Sequence, residues 1–545
     1  MHRKIAAKVA GWGASRQLRS FLAATGSPQR VQQQMLERQL RLLAGSAFAR
    51  DHGLSGSISY HDFARQVPIR RYEQFAPYIE PLKEGRFDSL FAPSEELLMF
   101  ALTSGTTGRA KFIPVTARFV DDYRRGWNIF GVKALLDHPR AFFRKIVQMT
   151  SSAREESTPC GLWAGAITGL QAQTQKWIVR KHYVTPLAVA EVKDPVAKCY
   201  TVARLAVTED VSFTSTANPS TILRLAQTMA EHSEQLIRDV HDGTLRPPGR
   251  LPEGLVADLG RRLRPRPRCA RRLEALARRA GRLLPKDVWR LEYLMNWTGG
   301  TLKLYLSRFG EYFGETPVRD IGLLASEGRF SIPVEDHTPA GILEITSNFF
   351  EFIPEAEYGG ENPTVLTLEE LEVGQRYFVV FSNASGLTRY DLGDCVEVVG
   401  LYQRTPMIAF LNKGSHISSL TGEKVSEHQA VEAMARLSAK LGRRIENFLL
   451  GPQWSDPPYY ALTVEQSDAN PQLAHSYDRI LAELNIEYAA KRESLRLGPV
   501  ELRTVPDGHF ANEDLARQAQ LGRTEQYKRK FLLTITEPDQ RSTSV

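Results

Sequence analysis

Two apolar runs, Leu97–Leu102 and Lys111–Thr116, flank a short polar stretch, and residues 117–137 that follow carry helical periodicity. This order predicts a strand, a Gly-rich loop, a second strand and a helix. The loop reads Thr103-Ser104-Gly105-Thr106-Thr107-Gly108-Arg109-Ala110, with Lys111 at its exit. It is not a Walker A loop, because G-x-x-x-x-G-K-[ST] is absent. It does hold what a polyphosphate needs. Gly105 and Gly108 let backbone N–H groups approach, Ser104, Thr106 and Thr107 supply hydroxyls, and Lys111 supplies a cation. The plainer reading of the same residues is a polar hairpin turn.

Strand and helix patterns alternate along most of the chain, which predicts an α/β architecture. Residues 29–44 form a helix with Met35, Leu36, Leu40, Leu42 and Leu43 on or near one stripe. The run KIVQMTSS suits a buried strand feeding a site. The segment from Val211 to Val240 reads as a strand, a turn through Asn218-Pro219 and a helix capped by Ser220. Residues 318–328, VRDIGLLASEG, read as one apolar strand ending in acid. Two β-rich segments follow, the second with an Asn-Ala-Ser-Gly turn, and helices dominate after Glu427. The polar stretch NKGSHISSLTGEKVSEHQA puts a domain boundary near residue 412, giving a large domain over 1–412 and a smaller one over 413–545.

The net charge of +8 suggests nucleic acid only until it is mapped. Residues 246–290 carry thirteen Arg and one Lys against four acids, more than the whole excess, so the remainder is net acidic. Trp289 is the one aromatic there, and RRLEALARRAGRLL places Leu and Ala at helical spacing with Arg on the other faces. This reads as a solvated basic helix beside a Pro-rich turn, with no nucleic acid expected. The four cysteines are far apart and lack C-x-x-C, which points to a reducing, cytoplasmic setting. No run is long enough for a transmembrane segment, and the basic start reads as a first structural helix. His337, His416 and His428 lack metal spacing, and G-x-S-x-G is absent.

Two further segments carry chemistry. Ala325-Ser326-Glu327-Gly328 places a carboxylate at the end of an apolar strand, where ligands gather in α/β sheets. Beside a triphosphate, Glu327 would be a Mg²⁺ ligand. Tyr390-Asp391-Leu392-Gly393-Asp394 places acids just after a hairpin, where an Asp can accept both hydroxyls of a ribose.

Together, the S-G-T-T-G-x-x-K loop, the later S-E-G and the Y-x-x-G-D element resemble the adenylate-forming superfamily. Within it the chain resembles the GH3 family of acyl-acid amido synthetases, through VPIRRYEQFAPYIEPLKEG, LTSGTTGRAKFIPVT, LLASEG, TRYDLGD, LTGEKVSEHQ and TEQYK. These stretches run from about residue 30 to about residue 530.

The resemblance implies an acyl-CoA synthetase-like α/β fold, with a large N-terminal adenylation domain and a small, mobile α+β C-terminal domain. It implies ATP and Mg²⁺, a carboxylic acid activated as acyl-AMP, and an amine, usually an amino acid, as acceptor. Ser104, Gly105, Thr106, Thr107 and Gly108 would cradle the phosphates with Lys111 nearby. Ser326 would line the adenine pocket, Glu327 would hold the metal, and Asp394 would bind the ribose. Lys528, in Gln526-Tyr527-Lys528, would reach the α-phosphate as the catalytic lysine.

The chain departs from the family at Asp391, where the usual Y-R-x-G-D motif has Arg. The plant members' carboxylate-binding Arg has no clear counterpart in Arg124 or Arg125. Trp127 and Trp163 are candidate walls of an acid pocket, though tryptophan also serves as core. Coenzyme A as acceptor, and a nucleotide-binding protein without catalysis, are the alternative readings. The acid and the oligomeric state are left open.

Overall fold

The computed structural model describes residues 15–54, 58–104, 110–175, 177–414, 417–421, 423–521 and 528–534. The chain forms two compact units. One comprises residues 1–298 and 309–410; the other comprises residues 299–308 and 411–545.

In the first unit, the strands Lys145–Gln148, Val211–Ser215, Tyr293–Met295 and Val318–Arg319 form a parallel sheet in that spatial order. Their side chains are largely buried on both faces, as parallel strands flanked by crossovers require. A six-stranded antiparallel sheet runs Ser331–Ile332, Gly341–Leu343, Thr405–Lys413, Tyr390–Tyr402, Arg376–Asn383, Asn348–Pro354. The third sheet contains the hairpin Leu97–Ser104 and Ala110–Thr116, in the register Thr103 opposite Lys111.

The helix read over residues 29–44 spans Pro28–Leu43. Leu36, Leu40, Leu42 and Leu43 are buried, but so are two glutamines. Gln32 donates to the carbonyls of Ile345 and Asn348 and accepts from Phe350 N, and Gln39 donates to the Thr388 hydroxyl. The apolar stripe hid these polar pins, which fix the helix to the antiparallel sheet and leave no amide group wasted in the core.

Three local expectations are corrected. The helix after Val211–Ser215 is capped by Asn218, whose side chain accepts from Ser220 N at 3.0 Å; Ser220 is the donor rather than the cap. Residues 318–328 do not form one strand. They break at Asp320, whose carboxylate takes the N–H groups of Thr298 and Gly322, each at 2.6 Å, and turns the chain. Asp394 does not follow a hairpin but lies within the strand Tyr390–Tyr402. The C-terminal portion is chiefly helical after Glu427, as read, through Glu427–Leu441, Leu473–Leu484, Ile486–Glu493 and His509–Leu521. Its strands Phe448–Gln453, Tyr459–Glu465 and Glu501–Val505 form a sheet, packed with the helices Glu427–Leu441 and Leu473–Leu484 around their own apolar core.

The Arg-rich segment folds chiefly as the helices Glu253–Arg262 and Pro267–Ala280, followed by the single turn Pro285–Val288, with Arg262, Arg278 and Arg279 on solvated faces beside acidic partners. No described helix is long and apolar enough to cross a membrane.

Candidate active site

The segment before the phosphate-type loop turns out to build much of the site. Arg70 N donates to Arg389 O, and Asp391 N donates to Arg70 O, so Arg70 makes a single parallel bridge to Tyr390, and the helix Tyr72–Lys83 starts directly after it with Arg71 as its N-cap. That pairing presents Arg71 and Tyr72 to the functional residues. The Tyr72 hydroxyl accepts Phe112 N–H at 2.8 Å, and Lys111 Nζ lies 5.5 Å from the Tyr72 ring centre. Lys111 therefore sits at the hairpin exit over an aromatic face. Ser104 ends the first strand opposite Ala110; its side chain, and Gly105, Thr106, Thr107 and Gly108, lie outside the described residues.

Glu327 is not at the end of a long strand. Ser326 and Glu327 are the two turn residues of a tight hairpin, Leu324–Ala325 with Gly328–Arg329. The Glu327 carbonyl accepts Asn383 Nδ2 at 2.9 Å. Asn383 is held in turn by Asn348 and by the N–H and hydroxyl of Ser385. A Cβ on Gly328 would lie 2.8 Å from Asn383 Nδ2, so the glycine lets the hairpin approach this asparagine.

The Glu327 side chain is buried. Its charge reaches three tyrosines, Tyr72, Tyr123 and Tyr390, and helps push each phenol upward. Burial is the larger cause in every case, and Tyr72 is pushed up to about 12. Three protonated phenols thus lie within electrostatic reach of one carboxylate. Through Tyr72 and Tyr390 the structure links Lys111, Glu327 and the start of the Tyr390–Asp394 element. Asp394 is itself buried, four residues along the same strand.

Asp391, the departure from the family motif, accepts Arg71 Nε–H at 2.9 Å and the Tyr358 hydroxyl at 2.9 Å. Arg71 also donates to that hydroxyl at 3.0 Å, and the Tyr358 ring stacks on Phe378 with centroids 3.4 Å apart. Beside it, Arg389 and Glu351 form a fully buried ion pair, and Arg389 Nη1 donates to the carbonyls of Ala64 and Val67. None of these partners is close in sequence, and no motif announced them.

Both helical arginines already have partners within the chain. Arg125 is bound to Asp122, Thr346 O and the Ser347 hydroxyl, and Arg124 faces Asp121. Trp163 is exposed, whereas Trp127 is packed over the Arg329 guanidinium at 4.7 Å.

Lys528 belongs to the second unit and is exposed there. The residues after it are tightly held. Arg529 donates to Asp514 and to Phe510 O, Phe531 N donates to Glu427 Oε1 at 2.7 Å, and Leu532 pairs with Leu450. In the LTGEKVSE stretch, Glu423 accepts from Leu420 N, Thr421 N and the Tyr460 hydroxyl at 2.6–2.7 Å; Gly422 lies outside the described residues. Those donors hold the Glu423 carboxyl below its ordinary range despite the opposing effect of burial. Among the described residues there is no cluster of three or more His, Cys, Asp or Glu placed to hold a metal.

A buried carboxylate at a hairpin turn, a strand–loop–strand element beside it and a separate α+β unit carrying an exposed lysine define a class of fold. It is shared with the solved GH3.15 acyl acid amido synthetase, at a TM-score of 0.81 and 19% identity over 95% of this chain and 94% of that one. Models of the GH3 family N-terminal, central and C-terminal domains match residues 17–318, 341–413 and 428–537. The chain belongs to the GH3 family. It is 23% identical over 516 residues to jasmonoyl–L-amino acid synthetase JAR4 of Nicotiana attenuata, covering 90% of this chain and 89% of the relative. It is also 23% identical to the 4-substituted benzoates–glutamate ligase GH3.12 of Arabidopsis thaliana, over 82% and 83% of the two chains.

Proposed function

We propose that this protein is an ATP-dependent acyl-acid amido synthetase acting on a small carboxylic acid and an amino acid. The observation that carries this reading is the match of all three GH3 domains, in order, to one chain whose full-length relatives are named amido synthetases and ligases.

In the first step a carboxylate oxygen attacks the α-phosphorus of ATP. The bond to the β-phosphate oxygen breaks, and pyrophosphate leaves. In the second step the amine nitrogen attacks the acyl carbon, the bond to AMP breaks, and the amine loses its proton. Activation comes first because a free carboxylate is a poor electrophile.

These tasks are assigned to residues as follows. The loop from Ser104 to Gly108 and Lys111 binds the phosphates, Ser326 borders the adenine, and Asp394 accepts from the ribose. The buried Glu327 is a hard oxygen donor, so its chemistry suits Mg²⁺, which when bound would neutralise phosphate charge. The protonated phenols of Tyr72, Tyr123 and Tyr390 add no competing charge around that carboxylate. Lys528 stabilises the charge developing on the α-phosphate. We place the second unit as a mobile domain that serves the two steps in different orientations. The four free cysteines agree with a cytoplasmic enzyme.

The test is product analysis by mass spectrometry after incubation with ATP, a carboxylic-acid panel, and either amino acids or coenzyme A. AMP together with an N-acyl amino acid is expected. Thioester formed with coenzyme A, and no amide with any amino acid, would refute the proposal.

A further inference from the structure

Arg329, on the second strand of the Glu327 hairpin, is only 3% exposed. A buried guanidinium normally has every N–H engaged, because an unmet buried charge costs several kcal/mol. Here Nη2 donates to Ile321 O at 2.7 Å, while Nε and Nη1 have no acceptor. Among the described residues Arg329 makes no ion pair.

The fold is arranged to admit this side chain. A Cβ on Gly126 would stand 2.7 Å from Arg329 Cδ, so the helix Ala117–Asp137 has a glycine where the arginine stem crosses it. The guanidinium carbon lies 4.7 Å from the Trp127 ring centre and 4.9 Å from that of Phe130, and those rings meet edge to face. Aromatic faces stabilise the cation partly but accept no N–H bond in the plane of the guanidinium. Arg329 follows Glu327 by two residues on the same tight hairpin, so the residue with the unmet donors and the proposed metal carboxylate share one short element.

We infer that Arg329 is the anchor for the carboxylate of the acyl acid, with Trp127 and Phe130 as its apolar surround. A carboxylate supplies the acceptors the guanidinium lacks and repays its burial. The apolar rings suit a singly charged acid with an apolar body better than a polyphosphate. This inference rests on the ligase reading for its meaning, but its binding test needs no ATP.

The experiment compares wild type with Arg329→Met and Arg329→Lys. Benzoate, indole-3-acetate and jasmonate serve as carboxylate probes in thermal-shift titrations, with benzamide as the uncharged counterpart of benzoate. At least one acid raises the melting temperature of the wild type, and benzamide does not. Arg329→Met abolishes the acid-dependent shift, and Arg329→Lys retains part of it. Without ligand, Arg329→Met melts no lower than wild type, because it removes an unpaired buried cation; a purely structural arginine would give a lower value. With the stabilising acid as substrate, Arg329→Met raises the acid KM by about 30-fold or more and leaves the ATP KM within about twofold.

The inference is overturned if no acid stabilises the wild type, if the shift survives in Arg329→Met, or if ATP binding falls in place of acid binding. Carboxylate binding through Arg329 without any adenylate would refute the ligase reading and leave this one standing.

Discussion

Asp391 and Arg71 are 320 positions apart and form an ion pair at 2.9 Å, with Arg71 60% exposed and the Asp391 side chain 6% exposed. The acid occupies the position where the GH3 motif usually carries Arg, and the guanidinium arrives from the segment laid against the strand Tyr390–Tyr402. The positive charge is thus retained beside the Tyr390–Asp394 element, but from a different element of the chain. Asp391→Arg alone sets two guanidinium groups against each other and raises the KM for ATP. The exchanged pair, Arg71→Asp with Asp391→Arg, recovers a large part of that loss. A double-mutant cycle on the ATP KM is expected to give a coupling of about 0.5–3 kcal/mol.

Gly328→Ala tests the tight approach of the hairpin to Asn383. The added methyl would sit 2.8 Å from Asn383 Nδ2 and 3.1 Å from the Phe330 ring, so either the turn bearing Ser326 and Glu327 or the hydrogen-bonded Asn383 amide has to shift. The expected cost is about 1–3 kcal/mol of stability, measured by urea denaturation. Adenylate formation falls further than the unfolded fraction explains.

Lys528→Ala separates the two half-reactions. The following residues are fixed by Arg529, Phe531 and Leu532, so the substitution removes a charge without unravelling the segment. Adenylate formation is expected to fall by about 10²-fold or more, with much less effect on amide formation from supplied acyl-AMP. Equal losses in the two assays would remove Lys528 from the first step.

The second unit carries a defined acid sensitivity. The Glu423 carboxyl is held below its ordinary value by donors that prefer its charged form, so its stabilisation is present at neutral pH. It is lost as pH falls through the depressed native value, below the unfolded value of about 4.3. Glu423→Gln is expected to cost about 1–3 kcal/mol at pH 7. The gap from wild type narrows as the pH is taken below that unfolded value, as read by chemical denaturation at each pH.

Local pattern carried the regular elements well. The helix read over 117–137 matches Ala117–Asp137, and the hairpin on either side of the phosphate-type loop lies at Leu97–Ser104 and Ala110–Thr116. Its limits are equally physical. Asp320 breaks the strand read through 318–328, because one carboxylate collecting two N–H groups outweighs an apolar run. The tyrosines around Glu327 come from three distant segments with no shared spacing, so no motif announces them. Arg329 looks like an ordinary strand-end charge until burial and the unmet N–H groups are seen. The order of the loop, S-E-G, Y-x-x-G-D and Q-Y-K elements pointed to the family, while the partners that position them became visible only in three dimensions.

The most direct test of the central claim is isotope exchange between pyrophosphate and ATP, run with and without a carboxylic-acid panel and magnesium. Reversible acyl-AMP formation predicts exchange that requires both acid and metal, stops with EDTA, and is lost in Glu327→Ala. Exchange that proceeds equally without acid, or none with any acid while ATP is bound, would contradict the account.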